Sequence, residues 1–333
     1  MCQSTTDGQH HEPDLEADSN PSDGDSGYSG SIAGSWSASL ASSVLNYKYE
    51  NGRRYHAFRE GQYILPNDED EQQRLDMLHH IYKLILGGAL FLSPLEEPQR
   101  VLDIGCGTGL WCIEFADEFP GATVTGTDLS PIQPGWVPPN CKFYVDDYES
   151  EWTYPPSEHF DYIHGRALCG SVADWPRLFT QALSHLNPGG WMEMQEYHCQ
   201  VYSDDGSLDQ AIYLKNWVEE MNEGSKRFGK ELKTANKLKN YMQDAGYIDV
   251  HEEIYKCPIG PWAKGKRYKE LGTYYRAQFV DAVEPFTLAI FTRVLGYTID
   301  QALVTIERVK QDLINPNLHL YVDYHFVWGK KPG

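Results

Sequence analysis

The segment 101–109, which reads VLDIGCGTG, constrains the fold of this chain more than any other feature. Apolar residues typical of a buried strand run into a G-x-G-x-G loop, and the pattern of 110–119 predicts a helix directly after it. Glycines at Gly105, Gly107 and Gly109 permit a tight turn and let the backbone approach a ligand that a Cβ would displace. The helix behind them presents unpaired N–H groups to a polar or anionic group. The segment therefore predicts a nucleotide-type binding loop in an α/β domain.

Acidic residues near the ends of the first three predicted strands indicate which ligand this loop holds. Asp103 precedes the first glycine by two positions, where a carboxylate suits the free ammonium group of S-adenosylmethionine; NAD has no such group there. Asp128 ends the second strand, where a carboxylate can accept hydrogen bonds from both ribose hydroxyls. Asp146 and Asp147 follow the third strand and suit the adenine amino group, with Asp147 preferred. A dehydrogenase loop of the G-x-G-x-x-G type would need glycine at 110, and that residue is Leu110.

These positions define a predicted binding site for S-adenosylmethionine. Tyr63, which precedes the first strand, is included as a lid over the cofactor, with aromatic packing as the alternative. The predicted cofactor-binding residues are Tyr63, Asp103, Gly105, Cys106, Gly107, Gly109, Asp128, Leu129, Asp146 and Asp147.

Predicted strands and helices alternate along most of the chain, which favours βαβ units and a mainly parallel sheet. Strands are predicted at 100–104, 123–127, 141–145, 160–164, 190–196, 247–256 and 318–328. This order suits a Rossmann-like sheet of seven strands with the last strand inserted antiparallel. The predicted organisation is a disordered acidic tail at 1–45, an N-terminal helical cap at 46–98 and a catalytic domain at 99–333 with a helical insertion at 261–316. Within the cap, 68–92 is predicted to be one helix.

Charge and cysteine content exclude several classes of partner. With 28 Lys and Arg against 48 Asp and Glu, the net charge is −20, which disfavours direct nucleic-acid binding because such binding depends on cations that neutralise phosphates. The seven cysteines include no C-x-x-C pair, so neither a zinc site nor a disulfide framework is expected, and we predict no metal site. We expect no membrane span and no secretory signal, and hence a cytoplasmic or nuclear location.

Several longer strings resemble the fungal LaeA-like methyltransferases over roughly residue 47 to the end. They are NGRRYH (51–56), YILPND (63–68), GTDLSPIQP (126–134), WVPPN (136–140), DWPR (174–177) and FTRVLG (291–296). The resemblance implies the class I methyltransferase fold and S-adenosylmethionine as cofactor. It leaves two functions open: an enzyme that methylates a small molecule of fungal secondary metabolism, or a nuclear regulator of the LaeA type that acts through protein partners. Cys106 departs from the family, whose members often have Thr there.

Candidate catalytic residues lie after the fourth and fifth predicted strands. Arg166, Tyr197 and His198 are the candidates, because the carboxyl ends of the strands face the ligand crevice. His164 is interpreted as a buried core histidine. No residue is assigned as a general base.

Overall fold

The computed structural model describes residues 47–50, 52–56, 58, 59, 61 and 63–333. The predicted tail at 1–45 lies outside these residues. The first elements are two short antiparallel strands, β1 (Lys48–Glu50) and β2 (Arg53–Tyr55). Sequence patterns did not predict this hairpin. Arg53 fixes it to the start of the first helix through two hydrogen bonds to Asp68, at 2.6 and 2.7 Å.

A seven-stranded sheet forms the centre of the described chain. Its strands are β3 (Arg100–Ile104), β4 (Thr123–Asp128), β5 (Cys141–Val145), β6 (Phe160–Arg166), β7 (Leu186–Tyr197), β8 (Ile248–Pro258) and β9 (Tyr321–Lys330). Their order in the sheet is β5-β4-β3-β6-β7-β9-β8. β9 is antiparallel to both β7 and β8, whereas β5, β4, β3, β6 and β7 pair in parallel. The predicted Rossmann-like fold, with its last strand antiparallel, is confirmed.

Helices cover both faces of the sheet. They are α1 (Glu69–Ile85), α2 (Leu110–Glu118), α3 (Trp175–His185), α4 (Ile212–Phe228), α5 (Leu238–Asp244), α6 (Lys266–Thr287) and α7 (Ile299–Ile314). Alternate residues of a strand point to opposite faces. Accordingly Val101 packs with α2 on one face, while Leu102 packs with α3 and α5 on the other. None of the helices in the described ranges is long and apolar enough to cross a membrane.

Two predicted boundaries differ most from the structure. The first helix ends at Ile85 rather than near 92, because the chain turns at Gly87 and Gly88, whose φ angles of 65° and 102° are left-handed. The turn predicted at 187–190 is part of β7, which begins at Leu186. Gly189 has φ 79° there, and the register with β6 shifts between Phe160 and Tyr162. The turn residues therefore form an irregular bulge rather than a separate loop.

The segment between β8 and β9 is helical and packs beside α1 and α4. α6 continues into a π-helical turn, Leu288–Thr292, and α7 begins with a capping box between Thr298 and Gln301. α6 passes the turn that follows β8 at very short range: a Cβ added to Gly272 would lie 2.0 Å from the carbonyl oxygen of Gly260. The absence of a side chain at Gly272 lets α6 come this close. One side of α6 forms part of the wall of an internal cavity.

Candidate active site

The glycine loop leaves β3 and enters α2 with three residues in left-handed backbone conformations. Gly105, Gly107 and Gly109 have φ angles of 66°, 56° and 83°. A Cβ at Gly105 would lie 2.5 Å from Leu168, and one at Gly109 would lie 2.5 Å from Phe143. Both the turn and the packing around it therefore require glycine.

Asp128, at the end of β4, faces this loop. One carboxylate oxygen accepts the N–H of Gly107 at 2.9 Å, and the other accepts the N–H of Ser130 at 2.8 Å. Burial raises the pKa of Asp128 to about 6. Its carboxylate pairs with no cation in the part of the chain that the structure describes. Since each oxygen still has a free lone pair, the group can accept two further hydrogen bonds.

The two acidic residues after β5 differ in their placement. Asp147 is buried, lines the same cavity as Asp128 and accepts hydrogen bonds from the Glu149 N–H and the Ser150 hydroxyl, both at 2.9 Å. Asp146 is exposed and uses its carboxylate to accept the Asp147 N–H at 2.8 Å. Of this predicted pair, only Asp147 lines the cavity.

Asp103 and His164 form a buried pair at the other end of the loop. Asp103 Oδ1 lies 2.7 Å from His164 Nδ1, and Oδ2 accepts the Cys112 thiol at 3.1 Å. The imidazole stacks on Trp111 with ring centroids 3.8 Å apart. His164 is buried as expected for a core histidine, but it also lines the cavity, and its Nε2 has no hydrogen-bond partner within the described residues.

Arg166 lies beside this pair at the end of β6. Its Nη2 is 2.9 Å from His79 Nδ1, and its guanidinium carbon lies 4.9 Å from the centre of the Tyr82 ring. Burial and the neighbouring Arg166 lower the pKa of His79 to about 4, so this imidazole is neutral and accepts the hydrogen bond. Burial also lowers the pKa of Arg166. Among the described residues no carboxylate pairs with Arg166, which leaves a buried cation available to an anionic ligand.

These groups line two neighbouring cavities that share Leu75, Gly105, Gly107, Arg166 and Ala167 in their walls, and we call the two together the glycine-loop cavity. Of the predicted cofactor residues, those that line it are Tyr63, Asp103, Gly105, Cys106, Gly107, Asp128, Leu129 and Asp147. Gly109 does not line it and instead precedes the first residue of α2. Sequence reasoning missed further lining residues, including Asn67, Leu75, His79, Tyr148, Ala167 and Lys230. Asn67 lies in the YILPND string, but Lys230 carries no local signal.

Two further cavities extend from the glycine-loop cavity under α4 and α6. The connecting cavity shares Tyr63, Leu75, Ala167 and Lys230 with it. Beyond lies the apolar cavity, whose walls include Trp217, Val218, Met221, Tyr275, Phe279, Ala282 and Phe286. Side chains common to the connecting and apolar cavities include Arg74, Leu78 and Tyr197. The three spaces therefore form a series that starts at the glycine loop.

The three catalytic candidates fall at different points of this series. Arg166 lines the glycine-loop cavity, Tyr197 lines the connecting and apolar cavities, and His198 lines the apolar cavity alone. Burial raises the pKa of Tyr197 well above its usual value, so its hydroxyl stays protonated. Burial lowers the pKa of His198 to about 4, so its imidazole is neutral at neutral pH.

Comparison with known proteins agrees with this architecture. Residues 77–252 match the methyltransferase domain family. The chain is 40% identical to methyltransferase pytC of Aspergillus terreus, over 88% of this chain and 91% of that protein. It is 36% identical to the secondary metabolism regulator laeA of Monascus pilosus, over 85% of this chain and 77% of that one. It is 35% identical to the protein-methionine methyltransferase laeA of Emericella nidulans, over 85% and 76%. The chain belongs to the LaeA-like family of S-adenosylmethionine-dependent methyltransferases.

Proposed function

We propose that this methyltransferase modifies a small, largely apolar molecule held in the apolar cavity. The observation that carries the proposal is the series of cavities: a partly open space walled by aromatic and aliphatic side chains shares wall residues with the connecting cavity, which in turn shares wall residues with the cofactor site. Small-molecule sites are concave and mostly apolar, with a few placed polar groups. The methyl donor and the acceptor would thus enter from opposite ends of one internal passage.

The residues of the glycine-loop cavity fit S-adenosylmethionine in chemistry and position. We assign the ribose hydroxyls to Asp128 and the adenine amino group to Asp147. At the other end, Arg166 supplies the unpaired cation for the cofactor carboxylate. The Asp103 carboxylate, held in place by His164, suits its ammonium group. The bound cofactor supplies an electrophilic methyl group on its sulfonium.

The chain promotes transfer by placing the acceptor and excluding water. Leu75 and Ala167 line both the glycine-loop and the connecting cavity, so an acceptor that reaches the reactive methyl group passes them. Ala167 has a φ of 56°, a strained conformation for a residue with a Cβ, and such strain concentrates at functional sites. Tyr197, protonated and lining the connecting cavity, can donate a hydrogen bond that orients the acceptor. Positioning of this kind accounts for much of the rate of a displacement at a sulfonium methyl group.

A protein acceptor is the second candidate function. It is favoured by the relative named as a protein-methionine methyltransferase, which is 35% identical over 85% of this chain. In that case the chain would act in regulation through protein partners, and a methionine side chain would have to enter the passage.

The test uses the full chain with methyl-tritiated S-adenosylmethionine, offered a fungal organic extract or a fungal protein extract. Ala282 lines the apolar cavity on α6, and Ala277 is exposed on the same helix. We expect Ala282→Phe to fill the cavity and reduce labelling of the organic extract at least tenfold, with unchanged affinity for S-adenosylhomocysteine. Ala277→Phe is the matched control and should change neither the labelling of the organic extract nor the affinity for S-adenosylhomocysteine. Label that enters only protein, at the same rate in both variants, would refute the small-molecule proposal in favour of the second candidate.

A further inference from the structure

Two free cysteines meet where the connecting cavity adjoins the apolar cavity. Cys169, in the segment after β6, lines the connecting cavity, and Cys199, just after β7, lines the apolar cavity. Their sulfur atoms are 3.5 Å apart. A disulfide bond is about 2.0 Å long, so each sulfur needs to move by less than about 1 Å for the bond to form. The pair is therefore placed to close into a disulfide.

Hydrogen bonds of the folded chain hold both cysteines in this arrangement. The N–H of Cys169 donates to the buried carboxylate of Glu196 at 3.0 Å. The carbonyl oxygen of Cys199 accepts the side-chain N–H of Asn222 on α4 at 3.1 Å. Because these contacts need no ligand, the two thiols are neighbours in the protein before any acceptor binds.

The two thiols differ in their access to a small oxidant. Cys169 is buried, whereas Cys199 is half-buried. The hydrogen bond with Cys199, together with burial, raises the pKa of Cys169 well above its usual value, so the Cys169 thiol stays protonated at neutral pH. Since the oxidation of a cysteine follows its exposure and its thiolate character, Cys199 is the residue that is oxidised first. Cys169 then serves as the resolving thiol.

We infer that Cys169 and Cys199 are an oxidation site, at which a peroxide forms a disulfide that closes the passage to the methyl acceptor. The peroxide oxidises the Cys199 sulfur to a sulfenic acid and releases one water. The Cys169 sulfur then attacks the sulfenic sulfur: the S–S bond forms, the S–O bond breaks, and a second water carries away the oxygen together with the Cys169 proton. In total, one peroxide takes two electrons and two protons from the pair.

The new bond changes the passage because it joins two of its walls. The segment that holds Cys169 follows Ala167, which lines both the glycine-loop and the connecting cavity. Tyr197, two residues before Cys199, lines both the connecting and the apolar cavity. Once tied together, these walls cannot separate to admit an acceptor, whereas Asp128 lies in the glycine-loop cavity and keeps its contacts. The effect on methylation rests on the proposed function, but formation of the disulfide does not.

Peptide mapping of the full chain tests the disulfide without any acceptor. The chain, saturated with S-adenosylhomocysteine, is treated with hydrogen peroxide at pH 8, alkylated and digested. We expect two peptides joined through Cys169 and Cys199, which dithiothreitol separates. Cys199→Ser should lose this product, whereas Cys141→Ser, the same change at a buried cysteine on the edge strand β5, should keep it. Absence of the joined peptides from the oxidised, unmodified chain overturns the inference.

Labelling from methyl-tritiated S-adenosylmethionine, after removal of the peroxide, measures the effect on the passage. The assay uses whichever extract, organic or protein, accepts label from the unmodified chain, and each variant is compared with its own untreated sample. Oxidation should reduce labelling at least tenfold in the unmodified chain and in Cys141→Ser, and dithiothreitol should restore it. Affinity for S-adenosylhomocysteine should change less than twofold. Oxidised Cys199→Ser should label at its own untreated rate.

Should Cys199→Ser fail to fold, recovery of the unmodified chain with dithiothreitol decides, because dithiothreitol reverses a disulfide but not a sulfinic acid. Full labelling by a chain in which the two cysteines are joined overturns the inference, as does an equal loss of labelling in oxidised Cys199→Ser. The proposed function is decided separately by labelling with Ala282→Phe, so the two can fail independently.

Discussion

Replacement of Asp128 by alanine removes the carboxylate assigned to the cofactor ribose. In the structure both oxygens already accept one backbone N–H each, from Gly107 and Ser130, and each has one lone pair left for a ribose hydroxyl. Hydrogen bonds to a charged group contribute about 1.5–3 kcal/mol, so we expect Asp128→Ala to weaken S-adenosylhomocysteine binding roughly 10- to 150-fold. The N–H of Gly107 also loses its acceptor in this variant, so we expect a loss of affinity near the upper end of the 10- to 150-fold range.

Calorimetry at neutral pH measures this change directly, and Asp146→Ala is the matched control. Asp146 is exposed and lies outside the glycine-loop cavity, so its removal should change the dissociation constant less than twofold. Because burial raises the pKa of Asp128 to about 6, its carboxylate becomes protonated as the pH falls below 6. Cofactor affinity should therefore fall from pH 7 to pH 5 in the unmodified chain, and this fall should be absent in Asp128→Ala. A folded Asp128→Ala that binds within threefold of the unmodified chain would refute the assignment.

Three further predictions concern the buried cation, the helix α6 and acid stability. Arg166→Met should weaken S-adenosylhomocysteine binding by about tenfold or more but leave 5′-methylthioadenosine, which lacks the amino-acid part, unaffected in the same calorimetric assay. Gly272→Ala should cost about 1–3 kcal/mol and lower Tm by several degrees, because its Cβ would meet the Gly260 carbonyl at 2.0 Å, whereas Gly121→Ala, with nothing within 4 Å, should leave Tm unchanged. Folding lowers the pKa of His198 from 6.5 to about 4, so the unfolded chain binds a proton at this imidazole more tightly than the folded chain does. The free energy of unfolding therefore decreases as the pH falls from 6.5 to 4. In urea unfolding at pH 4, His198→Phe should recover about 2 kcal/mol of this decrease in the free energy of unfolding. If the free energy of unfolding depends on pH in the same way in His198→Phe as in the unmodified chain, the lowered pKa of His198 is contradicted.

The parts of the site that could be predicted from sequence are those fixed by local chain direction. Asp103 and Asp128 lie near the ends of β3 and β4, and parallel strands bring those ends to one edge. The same reasoning preferred Asp147 but kept Asp146 beside it, since the burial of each residue depends on how the chain leaves β5. It also placed Gly109 with the ligand-contacting residues, although that glycine serves the start of α2.

The remaining parts depend on contacts between distant segments, for which the sequence holds no local pattern. Lys230 reaches the glycine-loop cavity from the end of α4, where it binds the Ser171 carbonyl at 2.7 Å. The apolar cavity has no free charge from Arg74 because Glu71 pairs with it. In the sequence, these two residues look like charges on the exposed face of a helix, so their burial could not be predicted. The hairpin of β1 and β2 escaped prediction because strands of three residues are too short for an alternating pattern to register.

The position of β9 has a consequence for the order in which the protein can be assembled during synthesis. β9 follows β8 and is the last of the described strands, yet it lies between β7 and β8 and provides the only link between them in the described sheet. Until residues 321–330 leave the ribosome, β7 and β8 each have an open edge, and α6 has no completed sheet to pack against. Open edges of this kind recruit other strands and promote aggregation. Deletion of 321–333 would therefore separate β7 from β8 inside the sheet rather than remove an edge strand. A tag fused close to Lys330 would interfere with the insertion of β9, the step that completes the sheet.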